Sequence, residues 1–492
     1  MFLARLLVLF SLVCISCAHS SFEQKQLKHA LDFATSNRLE LEILLQHYTY
    51  DSLKLEAAKF LIRNMPHCYS YQQGGEMDSV KRVRTYYSPF GQIDQTYARR
   101  WGHYTYRNLP KIYDAHIITA EYLIDNIDRA FDNWQKRPWN RSLSFEDFCE
   151  YLLPYRIGDE PLEEWRELYE KKYGYLLDSI YKGSDVVEAA NLVSRHLQEP
   201  VFIYCEDFEL PHIGPRYLFS HRYGSCVDAA DIVTYAFRAV GIPCMEDTDA
   251  RGGHVWNVVR DTTGRDVPIW YIASEAVRGS RDTGGYKRGK VYRPMYGFQE
   301  EKAAHLGDDW KSMPLLFYHP YMKDVSYAYY PDTLRILTGI PDDEVCYLAH
   351  FHEAHWWSCA CARSASGKME IPNLESELVY LPMKYTKGNY YPSGFPFWFA
   401  GGEINTFLPD WEKTVKVRLY RKYPVYGWLR SFMGHVVGGT FEGSMTKNFE
   451  DGKTLYEIAD TPVIARNRIF LNKSVKCRYI RYKADNDKCA EL

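Results

Sequence analysis

Apolar positions in the first part of the chain recur at helical spacing. Leu27, Ala30, Leu31 and Ala34 fall on one face at i, i+3, i+4 and i+7. Leu41, Leu44, Leu45 and Tyr48 repeat the pattern, and Asn37 with Glu40 predicts a capping box at the start of that second helix. Ala57, Phe60, Leu61 and Asn64 form a third stretch that Pro66 stops. Further periodic segments run through 120–134, 145–153 and 162–173, so residues 21–200 read as a helical N-terminal region. No repeat of fixed period appears. No Ser/Gly-rich or Pro-rich linker separates this region from the chain beyond residue 200, so it is expected to pack directly on the next domain.

The pattern changes at Cys226. Val227, Ala230 and Val233, or Ala229, Ile232 and Ala236, predict a helix that is apolar on most sides and therefore buried. Gly241 stands where a helix C-cap glycine belongs, and Ile242-Pro243 forces an extended exit. A strand comes after Gly252-Gly253, with His254, Trp256 and Val258 on one face. Asp261-Thr262-Thr263-Gly264 predicts a hairpin turn into a returning strand over 266–275. From about residue 330 on, β-branched and aromatic residues alternate with polar ones between Gly/Pro turns, as in 378–385 and 415–420, and this half reads as mostly β.

At 492 residues the chain is too long for one core, and about two to four domains are expected. With 46% hydrophobic and 25% charged residues it has the composition of a globular protein. A net charge of -3 with no basic stripe removes the electrostatic case for nucleic acid. The 41 tyrosines hint at grooves for carbohydrate or extended peptide, where flat rings stack, although tyrosine-rich sheets without ligands share that composition. Arg5 precedes an apolar run over 6–13, shorter than the roughly 18 residues of a membrane helix and suited to a signal-peptide core. Ser16 ahead of Cys17 suits lipoprotein processing, so 1–17 reads as a signal segment after which Cys17 carries a lipid. That places the mature chain in the cell envelope, facing the periplasm or the outer membrane, with the lipid as its one membrane attachment; simple secretion is the alternative. The remaining cysteines lack the dense spacing of a disulfide scaffold, though Cys477 and Cys489 could pair.

Cys226 would open the buried helix, where unpaired N–H groups and a partial positive charge favour thiolate over thiol. Gly224 permits a tight approach turn, and the Cys226 amide could help hold an oxyanion. A histidine on the following strand, His254, could take the thiol proton and return it to a leaving group. Either residue alone has an ordinary structural reading, a buried cysteine or a satisfied histidine. The two in this order carry more weight.

The run Tyr223-Gly224-Ser225-Cys226-Val227-Asp228-Ala229-Ala230, then Arg238-Ala239-Val240-Gly241-Ile242-Pro243, then Gly253-His254-Val255-Trp256-Asn257 resembles the transglutaminase-like core. The flanks at 145–156 with Trp165-Arg166, and Lys290-Val291-Tyr292-Arg293, further resemble bacterial lipoproteins that carry it. The resemblance implies a papain-like/transglutaminase-like α+β core over 201–300, with Cys226 as nucleophile and His254 as base and with no cofactor or metal. Cys226 would attack a carboxamide of a peptide or glycoprotein, release ammonia or an amine, and pass the acyl group to water or another amine. The departure lies in the third member. The family has an aspartate on the next strand, and aligning Val267-Pro268-Ile269 with that strand puts Trp270 in its place. A two-residue turn at Thr262-Thr263 would pair His254 with Tyr271 and set Glu275 on the histidine's face, which makes Glu275 the candidate. A backbone carbonyl or Asn257 are the alternatives. Loss of an orienting group weakens such a site by orders of magnitude, so a degenerate core in a glycan- or peptide-binding lipoprotein stays open.

His350, His352, His355, Cys359 and Cys361 crowd one stretch with metal-like spacing, but it reads better as strand. Gly438-Gly439-Thr440-Phe441-Glu442-Gly443-Ser444 and Cys477-Arg478-Tyr479-Ile480-Arg481-Tyr482 resemble a discoidin-type, galactose-binding-like β-sandwich, modules that commonly bind sugars. The expected layout is α+β and multidomain: a helical region over 21–200, the α+β core over 201–300, a β-rich domain over 330–410 and a discoidin-like segment over 411–492.

Overall fold

The computed structural model describes residues 22–87, 105–199, 201–204, 210–251, 253–270, 272, 274–280, 287–299, 313–337, 342–352, 355–410, 412–413, 434–462, 469–471 and 475–485. It is an α+β protein of more than one compact unit. Residues 1–350 with 358–406 form the first unit, and 351–357 with 407–492 the second. Among the described residues no helix is long and apolar enough to cross a membrane. The signal segment, Cys17, Cys489 and the strand expected at 415–420 lie outside the described residues.

In the first unit, α1 (22–33), α2 (Arg38–His47), α3 (Ser52–Asn64), α5 (Ala120–Lys136) and α6 (Phe145–Tyr151) follow the predicted periodicity, α4 (Gly75–Tyr87) is a further helix outside the predicted stretches, and a two-stranded pair, β1 (Tyr69–Tyr71) with β2 (Lys111–Tyr113), is set among them. Ala30, Leu41, Leu44, Leu61, Leu123, Ile127 and Phe148 close into one core. The capping box at Asn37 and Glu40 is not formed. Asn37 has φ -90° and ψ 2°, outside the extended conformation a cap needs, because a 3-10 turn feeds straight into α2. Its amide donates instead to the carbonyls of Ala115 and Ile118 at 3.1 and 2.8 Å, and Glu40 accepts the Ala120 amide at 2.7 Å. Both residues fasten α2 to the start of α5.

A second core spans residue 200 without a break. It joins α7 (Arg166–Tyr175) and α8 (Val186–His196) to the helix that Cys226 opens and to the sheet beneath it, through Tyr169, Val193, Ile232, Phe237, Val259 and Ile269. Ahead of that helix stand the short β3 (Ile203–Tyr204), α9 (Pro215–Ser220) and β4 (Tyr223–Gly224). The Cys226 helix is α10 (Cys226–Ala239), buried from Asp228 to Ala239, as its apolar stripes predict. Gly241 ends it with φ +82°, where a Cβ would press within 2.8 Å of the Asn133 carbonyl, and the Gly241 carbonyl accepts from Trp139 and Asn140 at 2.9 Å each.

The sheet under α10 is antiparallel throughout, in the order β7 (Asp266–Ile269), β6 (Val255–Arg260), β5 (Cys244–Asp249), β8 (Val291–Pro294), β9 (Met322–Asp324). Beyond it β10 (Leu334–Leu337) pairs with β13 (Lys368–Ile371). A larger sheet runs β12 (His355–Arg363), β11 (Val345–His352), β14 (Leu378–Thr386), β16 (Phe397–Ala400), β17 (Glu403–Thr406), with β15 (Asn389–Pro392) against β14. The second unit holds a three-stranded sheet in which β18 (Thr440–Ser444) lies between β19 (Lys453–Glu457) and β20 (Tyr479–Lys483).

Candidate functional site

The first turn of α10 is held by a capping box written into Ser225-Cys226-Val227-Asp228. The Ser225 hydroxyl accepts the Val227 amide at 3.3 Å and the Asp228 carboxylate accepts the Ser225 amide at 2.7 Å. Arg84 of α4 donates to the same Asp228 oxygen at 3.0 Å, with both side chains buried. Gly224 makes room for this, since a Cβ there would collide with the Asp228 carboxylate. Cys226 is thus the first residue of a helix whose start is fixed from two sides, and it is only partly buried.

Three contacts orient the sheet against α10. Arg238 donates to the Cys244 carbonyl at 3.1 Å, Thr234 to Glu246 at 2.7 Å, and Asn257 to both the Ala230 carbonyl and the Thr234 hydroxyl at 3.0 and 2.9 Å. Taken in order they run β6 parallel to α10, so His254, just ahead of β6, stands at the same end as Cys226. It does not stand on the same face. Asn257, Val259, Val267 and Ile269 face α10, whereas Trp256, Val258 and Trp270 belong to a separate core on the opposite face. The His254 ring stacks on Trp256 at 5.8 Å, and Trp256 and Trp270 both carry the buried Arg288 guanidinium, at 4.6 and 5.5 Å. Burial, followed by the charges of Arg288 and Arg251, pulls the His254 imidazole down to about 4 against an opposing effect of Asp249. It is neutral at pH 7.

Glu275 does not orient this ring. The turn between β6 and β7 occupies 261–265, closed by the Asp261 amide on the Arg265 carbonyl at 2.8 Å, instead of two residues. Arg260 therefore pairs with Asp266 and Asn257 with Ile269, and continuing that register sets His254 opposite residue 272 rather than Tyr271. The Glu275 carboxylate accepts from Arg195 of α8 at 3.0 Å with 62% of its side chain exposed. The carboxylate that acts on His254 is that of Asp249, which accepts the amides of Arg251 and Gly253 at 3.0 and 2.9 Å. Asn257 is committed to α10.

A second histidine, unmarked by any motif in the sequence, lies close to the start of α10. His212, in the loop before α9, holds the Asp231 carboxylate through Nδ1, 2.9 Å from both oxygens, and Asp231 is completely buried on α10. The His212 amide donates to Asp159 at 2.9 Å. Burial opposes charge on His212, but Asp231, supported by Asp159 and Glu160, outweighs it and holds the imidazolium well above the usual histidine range. Behind the pair, burial and the charge of Asp231 push Glu246 up to about 8. A cavity of about 200 Å³ is lined by His212, Asp159, Arg84, Ser225, Val227 and Asp228, and a neighbouring one of about 360 Å³ shares His212, Asp159 and Val227 and reaches Thr248 and Val255. A larger cavity, about 1340 Å³, lies away from α10, against Phe60, Glu150, Lys290 and Phe317.

The crowded stretch from His350 to Cys361 forms β11 and β12, and among the described residues no group of three or more His, Cys, Asp or Glu side chains is placed to hold a metal. No family model, no curated protein and no solved structure matches this chain.

Proposed function

We propose that this chain is an extracytoplasmic, transglutaminase-like thiol enzyme that acts on amide bonds of peptides or glycoproteins through an acyl group on Cys226. The observation that carries the reading is the start of α10. Cys226 is its first residue, the Ser225–Asp228 capping box and Arg84 fix that turn, and a cavity opens beside it. A papain-like/transglutaminase-like core fits a nucleophile on a buried helix packed over an antiparallel sheet, and the lipid on Cys17 would tether it in the cell envelope. The test is ammonia release from short glutamine-containing peptides, and amine release from peptide anilides, by the intact protein and by Cys226→Ala. Turnover that vanishes in Cys226→Ala supports the reading. Turnover that survives the substitution rejects it.

A second reading has its own support. Trp270 occupies the place the family gives to an acid, and His254 lies on the Trp256 face with its charged form disfavoured by Arg288. Those features suit a lipoprotein with a degenerate core that captures glycan or peptide, aided by a discoidin-like β-sandwich segment over 411–492. Retention of the protein on immobilised glycans, together with no turnover on any amide, would favour it over the first.

A further inference from the structure

A second imidazole lies on α10's own side of the sheet, in a cavity lined by the two residues that flank Cys226. We propose that His212, oriented by Asp231, is the catalytic histidine that works with Cys226, in a triad of Cys226, His212 and Asp231. The proposal rests on the thiol-enzyme reading above and names the base of that same site.

Three observations carry it. The first is position: His212 lines one cavity with Ser225 and Val227, the neighbours of Cys226 on either side, and Asp231 lies one turn along α10 from Val227, on the same stripe. The second is orientation. Asp231 takes Nδ1, Asp159 fixes the backbone of the same residue, and among the described residues Nε2 has no hydrogen-bond partner while 24% of the side chain is exposed. Residue 158 is a glycine, and a Cβ there would collide with both Cδ2 and Nε2, so only a glycine lets the backbone pack this closely against the ring and hold it in place. The third is charge. Asp231 from α10 with Asp159 and Glu160 from the loop before α7 favour the imidazolium, Glu246 of β5 lies behind Asp231, and Arg84 across the cavity is bonded to Asp228. His254 meets the opposite field from Arg288 and Arg251.

The chemistry balances without any added reactant except water. His212 stands as the imidazolium, so the S–H bond of Cys226 breaks with its proton passing to solvent, leaving a thiolate beside an imidazolium that carries a proton on Nε2. The thiolate forms a bond to the amide carbon, the C–N bond breaks, and the leaving amine takes the proton from Nε2. Water then adds to the thioester and gives a proton to Nε2, and departure of the acid restores the thiolate–imidazolium pair. Asp231 keeps its charge throughout and holds the ring.

The experiment is the rate of alkylation of Cys226 by iodoacetamide in the intact protein between pH 5 and 9, read by mass spectrometry, for the wild type, His212→Gln and His254→Gln. His212→Gln should slow alkylation at pH 6 on the order of 10²-fold and move its midpoint up toward the ordinary thiol value of about 8.5. His254→Gln should change the rate by less than about threefold. Asp231→Asn keeps the shape of the pair and removes its charge, and should raise the midpoint by about one pH unit even if His212→Gln folds poorly. A midpoint that moves with His254→Gln and not with His212→Gln or Asp231→Asn overturns the proposal and returns the role to His254. Alkylation of wild-type Cys226 no faster than that of a free thiol overturns the thiol-enzyme reading itself.

Discussion

At the scale of single residues, the two histidines differ in which charges face them. Burial and then Arg288 depress His254, so the folded protein binds its proton less tightly than the unfolded chain does. The stability this contributes is fully present above about pH 6.5, the unfolded value, and is lost as pH falls toward about 4. A ring-proton NMR titration should place the His254 midpoint near 4, and Arg288→Gln should raise it; a midpoint near 6.5 in the wild type would refute the Arg288 account. Glu275→Gln should leave both turnover and the His254 titration unchanged, because its carboxylate serves Arg195. A loss of roughly 10²-fold or more would put Glu275 back in the site. Cys226 is legible in the sequence because a helix start is marked by local chemistry. Glu275 is misplaced there because the turn length that sets the strand register depends on Asp261 closing a longer loop. Asp231 can be read in principle: a carboxylate inside Ala229-Ala230-Asp231-Ile232-Val233 must find a partner once that helix is buried. His212, in a loop without periodicity, gives no such signal.

At the level of elements, α10 is the piece that carries the proposed nucleophile, and its two ends are fixed differently. Gly241 closes the C-terminal end, as the Gly-Ile-Pro pattern predicts. The N-terminal end depends on Asp228, which at once caps the helix and accepts from buried Arg84. Asp228→Ala should therefore cost more than an ordinary cap, about 3–5 kcal/mol in urea unfolding, because it removes the carboxylate from a buried ion pair. A cost of only about 1 kcal/mol would mean that the link to α4 contributes little. The helices of the N-terminal region are legible because burial tracks their apolar spacing. The roles of Asn37 and Glu40 are not, because both are decided by contact with α5, far along the chain. The face on which His254 lies is hidden for a related reason. Alternation along β6 puts His254 with Trp256 correctly, but only the packed structure reveals that α10 covers the Asn257 face.

At the scale of the whole molecule, composition and periodicity suffice for an α+β protein of several cores, with helices first and β structure after about residue 330. They do not reveal that one core runs from Trp139 to Ala276 across the end of the helical region, because continuity of packing is carried by side chains remote in sequence. The proposed site draws on that continuity: α4 supplies Arg84, the loop before α7 supplies Asp159, the loop before α9 supplies His212, and α10 supplies Cys226 and Asp231. On the proposed reading these pieces make Cys226 a nucleophile that forms an acyl-enzyme. The most direct measurement is exposure of the intact protein to p-nitrophenyl acetate, with the nitrophenol release and the site of acetylation both recorded. A burst of about one equivalent is expected, with the acetyl group on Cys226 and no burst in Cys226→Ala. Acetylation spread over other residues, or an undiminished burst in Cys226→Ala, would contradict it.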